Sequence, residues 1–174
     1  MCKYWLFWSN RCFGDAMLVP KGNPKNINNY QDVIDTGAML VTGAGFNTVE
    51  AAKKFGVPDS QMLLVEGEVG ILAAMKAGRA DAAVQTFFGA KEHEEKTGGA
   101  FEVTDPKLMP KETVNVVGIG FRKSDSEFRE AFNVALASVM ANPGKMLERA
   151  GKYGYDKAQL PPDDMTTEWA CSTK

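Results

Sequence analysis

The sequence predicts an α/β fold in which a parallel-rich sheet is flanked by helices. Short apolar runs alternate with helical patterns from about residue 14 to 121, and glycine or proline separates most of them. Strands that alternate with helices pair in parallel through crossover connections. The chain has 174 residues, of which 44% are hydrophobic, so it is long enough for one domain or two small lobes.

Five apolar runs are the predicted strands of this sheet. In chain order they are DAMLVPKG, AMLVTG, QMLLVEG, ADAAVQTF and TVNVVGIGF. The first run ends at Gly-Asn-Pro, which is a turn signal. The last run is apolar enough to be covered on both faces.

Helical patterns follow the second, third and fourth of these strands. A helix from Thr48 to Phe55 begins where Asn47 or Thr48 can cap its first turn. The segment EVGILAAMKAG has apolar residues at helical spacing and stops at Gly78. The segment GAKEHEEKTGG predicts a charged helix end, with the single histidine, His93, on a solvated face.

The pattern changes after the fifth strand, where two helices are predicted in SDSEFREAFNVALASVMAN and PGKMLERAGKYG. The first of them places Phe128, Phe132 and Leu136 along one face. Because this end of the chain has no strands of its own, we expect its helices to pack on a surface supplied elsewhere. The tail, DDMTTEWACSTK, predicts one more short helix.

Composition narrows the class of partner. The formal charge is -2 and the pI is about 5.5, so the chain lacks the basic footprint that nucleic acid or an anionic membrane favours. We therefore expect a small-molecule or protein partner and no nucleic acid. No run approaches the roughly 20 apolar residues of a membrane span, and the start MCKYWLFWSNRCFG does not have the pattern of a signal peptide.

The sequence has no clear motif for a metal site, a cofactor site or a catalytic site. The three cysteines lie at the two ends of the chain and His93 lies among surface charges in KEHEEK, so no spacing indicates a metal site. No nucleophile elbow is present, and Glu66 with Glu68 is the one carboxylate pair near a presumed cleft. We expect no metal, no cofactor and no enzymatic activity.

The stretch TGAGFNTVEAAKKFG is the strongest candidate for a binding site. Backbone N–H groups at a helix start, helped by the helix dipole, can hold a carboxylate. Here the donors would be the amides of residues 46–49, with the Thr48 hydroxyl as a further donor. The plainer interpretation is that Thr48 only caps its helix.

The same turn also allows a dinucleotide interpretation. Gly43 and Gly45 occupy the first two positions of the dinucleotide fingerprint, and Glu66 follows the next strand where a ribose-binding acid belongs. Thr48 stands where the fingerprint has its third glycine. The alternative function is therefore a small nucleotide-binding oxidoreductase.

Three groups of segments resemble the solute-binding proteins of ABC importers, in which two α/β lobes enclose a cleft. The first is AMLVPKGNPKNINNYQDV; the second is GAGFNT, GVPDSQMLLVEG and MKAGRADAAV; the third is GIGFRKSDSEFREAFNVAL. Within this amino-acid-type family, KGNP, GFRKSD, YGYD and MTTEWACSTK resemble the ectoine- and hydroxyectoine-binding subfamily.

The resemblance implies a division of the chain into three parts. Residues 1–13 are the crossing segment left from the first lobe, residues 14–118 are the second lobe, and residues 119–174 return to the first lobe. The first half of the first lobe has no counterpart, and the position of its carboxylate-clamping arginine falls on Met1 or on nothing. An apolar helical face left without its lobe favours a homodimer through the C-terminal helices.

The resemblance also implies a ligand set. The segment Gly45, Phe46, Asn47 and Thr48 matches the one that holds the ligand carboxylate. Where amino-acid binders carry an aspartate for the amine, this chain has Gln85, Thr86 and Phe87. A delocalised cation such as ectoine can instead rest on aromatic faces, and Glu68 completes the candidate set.

The remaining implications concern partners, location and cysteines. A family member of this kind binds a small carboxylate or zwitterion, delivers it to a membrane permease and is periplasmic or otherwise exported. The resemblance pairs Cys12 with Cys171 in a disulfide, which an exported location permits.

Overall fold

The computed structural model describes residues 5–7, 12–113, 115–116 and 119–152. These residues form two compact units. The central unit comprises Gly14–Val114, and the terminal unit comprises Met1–Phe13 together with Asn115–Lys174. No helix in the described ranges is both long and apolar enough to cross a membrane.

The described elements alternate through the central unit and become mainly helical after it. The strands are β1 (Trp5–Phe7), β2 (Cys12–Phe13), β3 (Asp15–Pro20), β4 (Leu40–Gly43), β5 (Met62–Val65), β6 (Ala82–Thr86), β7 (Phe101–Val103), β8 (Asn115–Val116) and β9 (Ile119–Phe121). The helices are α1 (Tyr30–Thr36), α2 (Asn47–Lys54), α3 (Gly67–Lys76), α4 (Phe87–Lys96), α5 (Ser126–Met140) and α6 (Pro143–Gly151).

The sheet of the central unit has the strand order β5-β4-β6-β3-β7. Strand β4 pairs in parallel with both β5 and β6, as the strand–helix alternation predicts. Strand β3 runs antiparallel to β6 and to β7, with Asp15 opposite Thr86 and Pro20 opposite Phe101. The predicted α/β class with a sheet flanked by helices is confirmed, although the sheet is mixed.

Two apolar clusters form the core of the central unit. Along β3, Met17 and Val19 belong to one cluster and Leu18 belongs to the other, so the strand supplies both. This alternation follows from the period of two in a β-strand. The first cluster includes Tyr30 and Val33 of α1, and the second includes three residues of α3. Those three are Ile71, Ala74 and Met75.

The predicted fifth strand is present, but as two short strands that lie outside the five-stranded sheet. Its residues form two short strands of the terminal unit, β8 paired with β2 and β9 paired with β1. The side chain of Ile119 on β9 is exposed rather than covered. The run therefore does not add a strand to the five-stranded sheet.

The two predicted C-terminal helices are present as α5 and α6. On α5, Phe128 is 65% exposed, while Phe132 and Leu136 are half-buried. Both phenylalanine rings contact Phe121 of β9, with ring centroids 5.7 and 5.5 Å away. The predicted tail helix, and Cys171 of the predicted disulfide, lie outside the described residues.

Candidate functional site

Three strand-to-helix connections lie at one edge of the central sheet. The parallel strands β4, β5 and β6 end at Gly43, Val65 and Thr86, and each is followed by the start of a helix. Ligands of open α/β sheets bind outside the carboxyl ends of such strands. Every predicted site residue lies on these connections: Gly45, Phe46, Asn47 and Thr48 after β4, Glu68 after β5, and Gln85, Thr86 and Phe87 at the end of β6.

The connection from β4 to α2 is an exposed turn. Its residues Ala44, Gly45 and Asn47 are exposed, and the Ala44 N–H donates to the Val65 carbonyl at 2.8 Å. Gly45 has a φ of 79°, which glycine adopts without the steric cost that other residues meet. The glycine is thus needed for the turn itself.

Two of the four backbone amides that were predicted to bind an anion already donate hydrogen bonds within this turn. The Phe46 N–H donates to the Gly43 carbonyl at 3.1 Å, and the Val49 N–H donates to the Phe46 carbonyl at 3.1 Å. Phe46 is the N-cap residue of α2, and its side chain makes no capping hydrogen bond. The prediction that Asn47 or Thr48 caps this helix is therefore wrong.

The Thr48 hydroxyl is directed into the protein. Thr48 is 1% exposed, and its Oγ1 lies 2.5 Å from Oγ1 of Thr42. The Thr42 hydroxyl donates its single proton to the Val84 carbonyl at 3.3 Å, so Thr48 is the donor to Thr42. The hydroxyl is committed to this buried pair and is not the extra ligand donor that the sequence suggested.

The Phe46 ring covers the first glycine of the turn. A Cβ built on Gly43 would lie 2.7–2.8 Å from three atoms of that ring, and the ring packs against the second core cluster. In the dinucleotide fingerprint the glycines let the backbone approach a pyrophosphate, but here an aromatic ring occupies the space beside Gly43. The geometry disfavours the oxidoreductase alternative.

The connection from β6 to α4 carries an unpartnered polar group. Gln85 is 1% exposed, yet its Oε1 has no hydrogen-bond partner among the described residues. A methyl group built on Gly89 would lie 3.3 Å from Thr86 Oγ1, 3.5 Å from Gln85 Oε1 and 3.8 Å from Glu68 Oε1. We call these three oxygen-bearing groups, of Gln85, Glu68 and Thr86, the acceptor cluster.

Each member of the acceptor cluster is held by its own element. Glu68 lies in the first turn of α3 and is exposed. Thr86 is the N-cap of α4, where its Oγ1 accepts from the Gly89 N–H at 3.3 Å. Because a buried acceptor without a partner is costly, the cluster is a place where a hydrogen-bond donor would be stabilised.

The prediction that His93 lies on a solvated face is wrong. His93 is 5% exposed, its Nδ1 lies 3.1 Å from Gln85 Nε2, and its Nε2 lies 3.8 Å from Glu68 Oε2. Burial lowers the pKa of the imidazole, and the Glu68 carboxylate opposes part of that change. Ala90 and His93 are the buried residues of α4 and lie one turn apart, a spacing that is visible in the sequence.

Aromatic side chains border the same connection. Phe87 and Phe88 begin α4, and both are half-buried. Their ring centroids are 5.6 Å apart with an interplanar angle of 73°, an edge-to-face pair. Among the described residues, no group of three or more His, Cys, Asp or Glu side chains could hold a metal ion.

Comparisons with known proteins identify relatives of one kind. No protein-family model matches the chain. A probable amino-acid ABC transporter periplasmic-binding protein, y4tE of Sinorhizobium fredii (strain NBRC 101917 / NGR234), is 30% identical over 169 residues, which are 94% of this chain and 55% of the relative. The histidine-binding periplasmic protein of Escherichia coli (strain K12) is 32% identical over 96 residues, 53% of this chain and 36% of the relative.

Solved structures show the same fold. EhuB, crystallised with hydroxyectoine, matches with a TM-score of 0.60 and 24% identity over 98% of this chain and 61% of EhuB. The arginine-, lysine-, histidine-binding protein ArtJ of Geobacillus stearothermophilus matches with a TM-score of 0.65 and 22% identity over 92% of this chain and 65% of ArtJ. The fold is that of periplasmic binding proteins.

These matches define the class of the protein. The chain is a homologue of an amino-acid ABC transporter periplasmic-binding protein, and the resemblance found in its sequence is confirmed at the level of amino-acid-type binding proteins. It spans about half the length of the first of its curated relatives and about a third of the second. Both curated relatives are named as binding proteins, consistent with a non-enzymatic role.

Proposed function

We propose that this chain serves as a solute-binding component of an ABC importer for a small amino-acid-like zwitterion or compatible solute. The observation that supports this most directly is the buried, unpartnered Oε1 of Gln85 beside Glu68, at the carboxyl edge of the sheet. A ligand with a hydrogen-bond donor would satisfy that atom. The names of the curated relatives describe binding proteins for amino acids, and they support the class of solute that we propose.

The proposed contacts divide a zwitterion between two connections. The exposed turn from Gly45 to Thr48 would face the carboxylate, where the dipole of α2 favours an anion. The acceptor cluster would receive the cationic group, and Phe87 would supply an aromatic face. Hydroxyectoine, which is bound in the EhuB crystals, and a cationic amino acid of the kind that ArtJ binds both carry these two groups.

The proposal extends to partners and location. A binding protein of this class delivers its solute to the membrane permease of the importer, and we propose the same partner here. The curated relatives are periplasmic by name, and we propose a periplasmic location.

We further propose a homodimer through the apolar face of α5. Phe128 and Val139, about three turns apart on the same side of this helix, are both at least half exposed, and exposed apolar patches are typical of interfaces. Light scattering at tens of micromolar should report twice the chain mass of 18.9 kDa, and Phe128→Ser should shift it towards the monomer. A monomer for the unmodified chain would contradict this part of the proposal.

Titration calorimetry tests the binding function. The protein is titrated with ectoine, hydroxyectoine, L-arginine, L-glutamine and NAD. We expect saturable heat with at least one of the first four and none with NAD. Heat with NAD alone would overturn the proposed function in favour of a nucleotide-binding role, and silence from the four solutes would contradict the proposed function.

A matched pair of variants assigns that heat to the proposed site. Gln85→Leu removes the unpartnered acceptor but keeps a side chain of similar size, so we expect the affinity to fall about tenfold. Gln31→Leu changes an exposed glutamine of α1 and should leave the affinity as it was. Equal affinities for the two variants would place the ligand elsewhere.

A further inference from the structure

Gln85 and His93 form a buried pair whose hydrogen bond has a defined direction. Nε2 of Gln85 lies 3.1 Å from Nδ1 of His93, and a carboxamide nitrogen can only donate. Nδ1 therefore accepts, and the proton of the neutral imidazole lies on Nε2. Because its nitrogen is hydrogen-bonded to His93, Gln85 turns Oε1 towards Glu68 and Thr86, the other members of the acceptor cluster. In this position Oε1 lacks a partner among the described residues.

The surroundings of His93 combine burial with charges on two helices. Glu68 and Lys76 face it from α3, and Glu92 and Lys96 face it from α4. Burial is the largest influence, and it favours the neutral ring; the two carboxylates oppose it and the two lysines add to it. The net result is a pKa below the ordinary value of 6.5, so His93 is neutral at pH 7.

We propose that His93 is a positioning residue of the candidate site, which holds the Gln85 carboxamide with Oε1 facing a bound cation and reverses that carboxamide when the imidazole is protonated. This inference rests on the proposed function, because it takes the acceptor cluster as the receptor for the cationic group of a solute. In this proposal His93, which is not a member of the acceptor cluster, controls what the cluster can bind.

Protonation changes the direction of the hydrogen bond. A protonated imidazole carries N–H groups at both nitrogens, so Nδ1 then faces a second donor in the Gln85 amide. A half-turn of the carboxamide lets Oε1 accept from Nδ1 and moves the NH₂ group towards Glu68 and Thr86. The cluster then presents a donor where the cation was stabilised, and His93 adds a positive charge nearby, so both changes weaken cation binding.

Nitrogen-15 NMR on the protein without added ligand tests the pairing directly. The chain has a single histidine, so the imidazole signals belong to His93. Above its pKa we expect the tautomer protonated at Nε2, and we expect the Gln85 side-chain amide signals to shift with the same midpoint as the imidazole. A ring protonated at Nδ1, or Gln85 signals that ignore the His93 titration, would overturn the proposal.

Calorimetry with L-arginine tests the consequence for binding. The guanidinium group of L-arginine stays protonated from pH 5 to pH 8, so a loss of affinity towards pH 5 does not come from titration of that cation. We expect the affinity of the unmodified chain to fall about tenfold once His93 is protonated, the scale of one hydrogen bond to a charged group. An affinity that does not change across the His93 midpoint measured by NMR would contradict the reversal.

Two substitutions separate positioning from general structure. His93→Leu removes the acceptor at Nδ1, so affinity should fall at every pH and its pH dependence should vanish. His93→Asn places an amide oxygen near the Nδ1 position, where it accepts from Gln85 and does not titrate, so we expect affinity at pH 8 to be rescued without the loss at pH 5. If the asparagine variant keeps the pH dependence of the unmodified chain, the effect does not come from His93.

The NMR titration and the L-arginine calorimetry distinguish failure of the proposed function from failure of this inference. If L-arginine does not bind at pH 8, the cationic-solute form of the proposed function is contradicted, while the NMR titration still decides whether His93 sets the Gln85 amide. If L-arginine binds but its affinity and the Gln85 signals ignore the protonation of His93, the proposed function stands and this inference is overturned.

Discussion

The β4–α2 connection and the β6–α4 connection, which we call the α2 end and the α4 end of the candidate site, use their polar groups differently. At α2, the Phe46 and Val49 amides bond within the turn and the Thr48 hydroxyl bonds to Thr42. At α4, Oε1 of Gln85 is equally buried but has no partner among the described residues. A glycine turn indicates where an anion can bind, whereas an unpaired buried acceptor indicates where the protein gains most from a ligand.

This difference separates effects on folding from effects on binding. Substitutions of the buried groups behind the turn at the α2 end should mainly change the free energy of unfolding, because these groups are packed and bonded to one another. Substitutions at the α4 end should mainly change affinity, because a group there lacks its partner. Four measurements test this division, in order of decreasing expected effect.

The largest change should follow Gly43→Ala at the α2 end. Its new methyl group would lie within 2.8 Å of the Phe46 ring, so the ring must leave its place against the core. We expect the free energy of unfolding to fall by about 1–3 kcal/mol, measured by urea denaturation. Gly14→Ala, whose methyl would lie 3.7 Å from the nearest atom, is the matched control, and equal losses for both would contradict the packing argument.

Gly89→Ala at the α4 end should lower the affinity for a ligand and leave the stability of the fold intact. Its methyl group would point at the acceptor cluster, 3.3–3.8 Å from the three oxygens, and would take the space of a bound cation. We expect affinity for L-arginine to fall about tenfold or more. Stability should hold or rise, because alanine is favoured over glycine inside a helix by about 1 kcal/mol. Unchanged affinity would show that the ligand does not approach Gly89.

The buried pair of Thr42 and Thr48 should give a smaller effect, confined to stability. A double-mutant cycle with Thr42→Val and Thr48→Val isolates their interaction. We expect a coupling of about 1 kcal/mol, the usual net value of a hydrogen bond, and no change in affinity for L-arginine beyond that of a control such as Thr36→Val. A coupling near zero would mean that the hydroxyls do not stabilise each other.

The smallest effect should be the dependence of stability on His93. Its pKa in the folded protein lies below the ordinary value of 6.5, so the unfolded chain takes up the proton first as the pH falls. The free energy of unfolding should therefore decline from about pH 7 downward, until the folded imidazole is itself protonated. The difference in stability between the unmodified chain and His93→Asn, measured by thermal unfolding, should change with pH only in that interval; a difference that changes above pH 7 would contradict this account.

The central unit was largely predictable because its elements are marked locally. Strands β3, β4, β5 and β6 were all identified from apolar runs, and the helices after the last three were identified from apolar spacing and glycine stops. Strand β7 was missed because its three residues are a strand only through pairing with β3. Helix α1 was missed because it has seven residues, although Asn29 caps it by accepting from the Asp32 N–H at 3.1 Å.

The candidate site was predictable in its members but not in their pairings. Gln85 and Thr86 were identified from the resemblance and Glu68 as a carboxylate near the presumed cleft, and the structure brings their oxygens together. The partner of Gln85 was not foreseen, because the charges around His93 in KEHEEK outweighed the buried spacing from Ala90. Which hydroxyl donates to which, as in Thr42 and Thr48, depends on the contact between β4 and α2 and cannot be inferred from spacing. The roles of the site residues in ligand binding remain predictions.

Strand β3 has a consequence for the order in which the chain can fold. It precedes all of its partners, which lie in residues 83–86 and 101–103. A ribosome therefore releases this apolar strand long before the segments that flank it exist, and the sheet closes only when most of the central unit has been synthesised. Pairing across such separations slows folding and leaves an apolar strand open to other chains meanwhile. We therefore expect a chain built this way to need protection while it is being synthesised.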